Sequence, residues 1–146
     1  MTADIHQQIA GLLTSQPLAV LCTRGQRVHA SLVAIAPTDD LRRIFFATPR
    51  STEKYTNLVA DPDAALLVHN ASGKPEDFQS AMAVTIVGKA QEVGPEAAAY
   101  FDDIYLACHP ALADFVAAAA TARMALCVEV YRLVRQFQQV TLYRID

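Results

Sequence analysis

The sequence predicts a mainly β chain of the α+β class, an antiparallel sheet curled into a barrel with helices at its periphery. Three observations carry this. Six or seven short runs rich in Val, Ile, Leu and Phe are separated by turn-forming residues, which favours antiparallel neighbours. The helical patterns come in blocks and do not alternate strictly with the strands, which disfavours a parallel α/β sheet. A sheet of this size leaves exposed edges unless it curls on itself, and closure removes them.

Ile5, Ile9, Leu12 and Leu13 recur at helical spacing and predict an amphipathic helix over Asp4 to Thr14, ended by Pro17. Leu18 to Thr23 is a buried strand. Arg24-Gly25-Gln26 is a tight turn into a second strand, Arg27 to Ala36. Pro37-Thr38-Asp39-Asp40 is turn chemistry, and Ile44 to Thr48 is a third strand. A helix over Thr52 to Ala60 closes at Asp61-Pro62-Asp63 and leads to a fourth strand, Ala64 to His69, which is apolar on both faces. Asn70 to Pro75 is a loop by composition, and Met82 to Val93 is a long strand interrupted or bulged at Gly88. Pro95 suits the first turn of a helix that continues over Glu96 to Ala107. His109-Pro110 separates it from a second helix, Ala111 to Ala119. Strands over Ala125 to Val134 and Val140 to Ile145 complete a single domain spanning residues 1–146.

The composition, 53% hydrophobic and 18% charged, is that of a compact globular protein. A formal charge of −3 with scattered Lys and Arg offers no footprint for nucleic acid and no polybasic membrane patch. No apolar run approaches the roughly 20 residues of a membrane-spanning helix. The first residues lack the layout of a signal peptide, so a cytoplasmic location is expected. Cys22, Cys108 and Cys127 are an odd set without a CxxC pair; Cys22 and Cys127 are expected to be small buried residues of strands. His6, His29, His69 and His109 lie too far apart for the short ligand spacing of a zinc site, and no metal is expected. His69 is expected to be a satisfied strand-end residue. Tyr100, Phe101, Ile104 and Tyr105 are expected in core or dimer packing, and Phe137 in packing, with stacking at the edge of a bound ligand as its other reading.

The stretch Phe45 to Leu58 carries the chemistry. A strand runs through Pro49 into Arg50-Ser51-Thr52, and a helix begins there. Ser51 or Thr52 can cap that helix, leaving amide donors and the positive end of the helix dipole for an anion. Arg50 offers a bidentate fork for phosphate oxygens, and Lys54 adds a point charge about one turn further on. The same residues also suit an ordinary capped surface helix with solvated charges, and the chemistry alone leaves both readings open.

The order of features resembles the FMN-binding split barrels of the pyridoxamine 5′-phosphate oxidase-related superfamily. His29-Ala30-Ser31-Leu32-Val33 on one strand is followed by Phe46-Ala47-Thr48 and the segment Arg50 to Lys54. Then come Asn57-Leu58, Asp61 to Val68, and the strand Ala83 to Ala90 with its glycine. The similarity covers roughly residues 5 to 140 and is most specific over Thr48 to Leu67. It implies that Thr52 and Lys54 hold the FMN phosphate, with Arg50 and Ser51 beside them. It also implies that Ser31, Leu32, Val33, Ala47 and Thr48 border the isoalloxazine ring. Asn70 is a further candidate for a polar contact. A homodimer with FMN at its interface is implied as well.

Two departures stand out. Thr52-Glu53-Lys54 replaces Ser-Arg-Lys, and the end of the chain, Leu133 to Gln139, lacks the Arg-Leu-His segment that holds substrate. The resemblance therefore extends to flavin binding and not to pyridoxamine phosphate oxidation. The first functional expectation is an FMN-dependent oxidoreductase with a small-molecule electron donor or acceptor and no catalytic side chain that the sequence names. The alternatives are a non-catalytic FMN- or heme-binding carrier or sensor, and a flavin-free structural barrel.

Overall fold

The computed structural model describes residues 2–136 and 138–146, so the packing expected of Phe137 lies outside the described residues. The strands are β1 Leu18–Arg24, β2 Val28–Ala34, β3 Ala36–Pro37, β4 Arg43–Pro49, β5 Asp63–His69, β6 Met82–Glu92, β7 Thr121–Arg135 and β8 Gln139–Arg144. The helices are α1 Thr2–Ser15, α2 Glu53–Ala60, α3 Asp77–Ser80, α4 Ala98–Cys108 and α5 Ala113–Ala117. Short 3₁₀ turns at Pro95–Ala97 and Pro110–Leu112 lead into α4 and α5.

All strand pairs are antiparallel, in the order β2-β1-β5-β6-β7-β4-β3, with β8 added on β7. The strands at the two ends of this order, β2 and β3, are separated in sequence by Ile35 alone. The chain steps from one edge of the sheet to the other there, and the Ile35 amide donates to Pro17 O at 2.9 Å. This is the expected curled sheet, and it corrects one boundary: Arg27 to Ala36 is two strands.

β7 shows where the barrel splits. β6 flanks it along one side, while the other side pairs with β4 over Thr121–Cys127 and with β8 over Val130–Arg135. Between these halves the β6 register jumps, Val87 facing Val130 and Gly88 facing Val128, so Glu129 bulges. The sequence places this irregularity correctly at Gly88. A Cβ on Gly88 would lie 2.1 Å from Cys127 O, so glycine permits the close approach of the two backbones.

The apolar alternation fills two cores. Ile9, Leu12 and Leu13 of α1 close the barrel interior with Leu21, Phe46, Leu66, Ile86, Leu126 and Tyr131. On the other face of β4, Phe45 and Ala47 pack with Phe101 and Tyr105 of α4 and Val116 of α5. The aromatic stripe of α4 is thus core packing at Phe101 and Tyr105, while Tyr100 stays exposed. The helix expected over Ala111 to Ala119 is shorter, because Thr121 already enters β7 opposite Pro49. Cys22 is also corrected. It is exposed, because the period of two that buries Leu21 and Thr23 turns Cys22 to the outer face.

Candidate functional site

β4 leaves the sheet at Pro49, and the Arg50 amide donates to Ala120 O at 2.9 Å, which anchors the exit to the turn before β7. Thr52 is the N-cap of α2, extended at φ −85° and ψ 156°. Its hydroxyl accepts from the Tyr55 amide at 3.3 Å and contacts Pro49 O at 2.9 Å and the buried Thr48 hydroxyl at 2.8 Å. The cap therefore satisfies one first-turn amide and leaves those of Glu53 and Lys54 without intrahelical acceptors. The half-buried Lys54 forms no ion pair among the described residues. Ser51 is exposed beside the cap.

β2 lies alongside this turn. His29 Nδ1 is 3.2 Å from Glu53 Oε2, so the strand face carrying His29 looks toward the start of α2. Ser31 lies two residues on, on that same face, and its Oγ is buried with no hydrogen-bond partner. Leu32 points the other way, 62% exposed, and Val33 enters the barrel core. On β4 the pair also divides. Thr48 meets the cap, whereas Ala47 packs beneath α4. Thr48, Ser51, Thr52, Lys54 and Ser31 are thus brought to one region.

Five expected residues are not: Leu32, Val33 and Ala47 turn away as described, and Arg50 and Asn70 are held by other partners. The Arg50 guanidinium is engaged elsewhere, donating to Glu92 Oε2 at 2.5 Å and to Ala119 O at 2.9 Å. Glu92 Oε1 accepts from the Tyr55 hydroxyl at 2.7 Å. The Arg50 hydrogen bond holds the Glu92 carboxyl below its ordinary range, and Glu92 in turn raises Arg50 and the Tyr55 hydroxyl. Asn70 lies past the far end of β5, where its Oδ1 accepts from the Met82 amide at 2.7 Å and extends the β5–β6 ladder. Sequence reasoning missed Glu92 and Tyr55. Neither lies in a recognisable motif with Arg50, and Glu92 is 42 residues away.

Beside Asn70 is a mostly apolar pocket of about 410 Å³, lined by Leu67, His69, Phe78, Met82, Ala83 and Val134. His69 Nδ1 accepts from the Ala71 amide at 3.0 Å, the satisfied strand end expected for it. The loop above the pocket is organised by Asp77, whose carboxylate accepts from the amides of Ser72, Gly73 and Lys74. Among the described residues no group of three or more His, Cys, Asp and Glu could hold a metal ion. No helix among them is long and apolar enough to cross a membrane.

A family model described as pyridoxamine 5′-phosphate oxidase matches residues 5–134. No curated protein sequence matches the chain. Among solved structures, a heme binding protein from Mycobacterium smegmatis aligns with a TM-score of 0.81 at 20% identity, over 99% of this chain but 58% of that one. A protein of the pyridoxinephosphate oxidase family from Clostridium acetobutylicum, related to general stress protein 26, gives 0.74 at 14% identity, covering 98% and 96% of the two chains. An FAD-binding protein from Mesorhizobium loti gives 0.70 at 12%, covering 87% and 90%. At these identities the likenesses establish the fold, a split barrel with flanking helices. Matched by the family model from α1 almost to the end of β7, the chain belongs to the pyridoxamine 5′-phosphate oxidase family.

Proposed function

We propose that this chain is an FMN-binding flavoprotein, an oxidoreductase that exchanges electrons with a small molecule, and that it works as a homodimer. The observation that carries the reading is the first turn of α2. Two amides without intrahelical acceptors lie there beside Lys54, a cation with no anionic partner among the described residues. That donor set suits a terminal phosphate. Ser31 Oγ, buried and unpartnered on the neighbouring strand, is a group that a bound flavin would satisfy. Thr48 and Thr52 hold the cap in shape, and Lys54 supplies the charge. When bound, FMN supplies the hydride or electron chemistry, and the chain supplies position and electrostatics.

The dimer is supported by the outer face of the sheet. Strand pairing aligns Leu32, Val20, Leu67, Thr85, Arg132 and Leu142 in one row across β2, β1, β5, β6, β7 and β8. The next row runs Ala30, Cys22, Ala65, Val87 and Val130. A largely apolar outer face, broken in its first row by Thr85 and Arg132, supports this reading, since a two-fold copy would cover it with a self-complementary surface.

The second reading, a heme carrier, draws on the likeness to the mycobacterial heme binding protein. One observation weighs against His69 as an iron ligand in the apolar pocket. Because its Nδ1 accepts an amide proton, the neutral ring carries its own proton on Nε2 and offers a donor, not a lone pair.

Titration of the purified protein with FMN, riboflavin and hemin separates the readings. Expected are quenching of flavin fluorescence, FMN binding at least tenfold tighter than riboflavin, and loss of that preference in Lys54→Ala, since charge-assisted hydrogen bonds are worth ~1.5–3 kcal/mol. Equal affinity for the two flavins refutes the phosphate cradle. A Soret shift with hemin and no flavin binding establishes the carrier.

A further inference from the structure

Arg50 stands two residues before the cap of α2, where sequence alone makes it a phosphate ligand. Its surroundings give it other work. One guanidinium nitrogen donates to Glu92 at the end of β6 at 2.5 Å, and another donates to Ala119 O in the turn that enters β7, at 2.9 Å. Its own amide donates to Ala120 O in that same turn. The second oxygen of Glu92 takes the hydroxyl of Tyr55, which lies in the first turn of α2. A single cation therefore ties together four segments: the loop leaving β4, the first turn of α2, the last residue of β6 and the turn before β7.

We infer that Arg50 is a positioning residue for the flavin site, clamping the start of α2 through Glu92 and Tyr55, and that Lys54 alone answers the charge of the phosphate. The inference rests on the flavin-phosphate reading above. Two N–H groups of Arg50 are already committed, to Glu92 and to Ala119 O, and turning them to an anion at the α2 amides would leave a carboxylate without its counter-ion and a carbonyl without its donor. Its charge is already compensated by Glu92, so the field it adds at the helix start is small. Lys54 has no such compensation among the described residues. The planar fork also explains arginine here, because lysine's point charge cannot donate in the same geometry to both a carboxylate and a carbonyl.

The test compares FMN and riboflavin on Arg50→Ala, Arg50→Lys, Tyr55→Phe and Lys54→Ala, with hydrogen exchange of the ligand-free proteins. Lys54→Ala should lower FMN affinity about tenfold or more and leave riboflavin unchanged. Arg50→Ala should weaken both flavins by the same factor, preserve the FMN-to-riboflavin ratio and the salt dependence of FMN binding, and speed exchange at the amides of Tyr55 to Leu58. Arg50→Lys should lie between Arg50→Ala and the parent. Tyr55→Phe removes only the hydroxyl and serves as the second variant should Arg50→Ala fail to fold; it should also weaken both flavins equally.

Loss of FMN affinity in Arg50→Ala with riboflavin untouched would overturn the inference and make Arg50 a phosphate ligand. Unchanged exchange at the start of α2 in both Arg50→Ala and Tyr55→Phe would also overturn it. The exchange experiment needs no flavin, so it decides the clamp even if the parent protein binds FMN and riboflavin equally. That second outcome would sink the phosphate reading instead.

Discussion

Leu67 tests the proposed assembly most directly. It sits near the middle of the apolar row on the outer face, between Val20 of β1 and Thr85 of β6, and is 37% exposed in the single chain. Fully burying a leucine contributes ~1.5–3 kcal/mol, so covering the remaining third contributes ~0.5–1 kcal/mol per protomer. A two-fold interface counts the residue twice, giving ~1–2 kcal/mol per dimer, or roughly a 5- to 30-fold change in dissociation constant for Leu67→Ala. Leu67→Glu adds two carboxylates that must be desolvated beside Val20, with Arg132 two strands further along as a cation of that row, and the weakening should exceed that of Leu67→Ala. The barrel itself should stand, because the side chain points away from Leu66 and Val68, which are fully buried. Sedimentation at micromolar concentration should show the parent as a dimer and Leu67→Glu as a folded monomer with weakened FMN affinity. A Leu67→Glu protein that remains dimeric refutes this face as the interface. A monomeric parent that binds FMN tightly refutes the shared site altogether.

Other outcomes follow from single contacts. Tyr131→Phe removes the buried hydroxyl that donates to Leu41 O at 2.7 Å and leaves that carbonyl unpaired, beside a leucine already held at φ 58°. Its urea midpoint should reflect a loss of ~1–3 kcal/mol while the FMN-to-riboflavin ratio stays unchanged; a stability loss below the low end of that range would refute the hydrogen bond's role. Gly88→Ala forces a methyl against Cys127 O, backbone that cannot rotate away, and should lower stability by ~1–3 kcal/mol; an unaltered midpoint would show that the bulge tolerates a side chain. The carboxyl of Asp77 is lowered chiefly by the Ser72 amide, so its ordering of the 72–74 loop should be complete above the ordinary carboxylate range and fade as pH falls through its depressed value. Hydrogen exchange at Ser72, Gly73 and Lys74, corrected for intrinsic rates, checks this, and Asp77→Asn should show the faster exchange already at neutral pH.

Much of this protein is written locally. Ile9, Leu12 and Leu13 share a helical face whatever lies opposite, and the apolar runs of β1, β4, β5 and β6 declare themselves by composition. Thr52 caps α2 because a hydroxyl before a helical run satisfies a backbone donor within three residues. Gly88 marks the bulge because no other residue lets two backbones approach so closely. The helix face, the apolar runs and the cap depend on neighbours in sequence, so sequence alone reveals them, whereas Gly88 shows in sequence only as a break in a strand pattern and its partner backbone at Cys127 lies on another strand.

What tertiary structure alone decided depends on register and curvature. β1 and β5 are apolar on both faces, and a period of two cannot say which face turns inward; the curl of the sheet buried Leu21 and Leu66 and left Cys22 and Leu67 outside. The break at Ile35 between β2 and β3 arises because the chain must pass from one edge of the sheet to the other. Arg50 reads as a phosphate ligand beside Thr52 and Lys54, yet the pairings of β4 and β6 with β7 bring Glu92 to its guanidinium from 42 residues away. An arginine fork takes the nearest well-placed anion, and which anion is nearest is settled by strand register, a long-range property that no stretch of sequence around Arg50 contains.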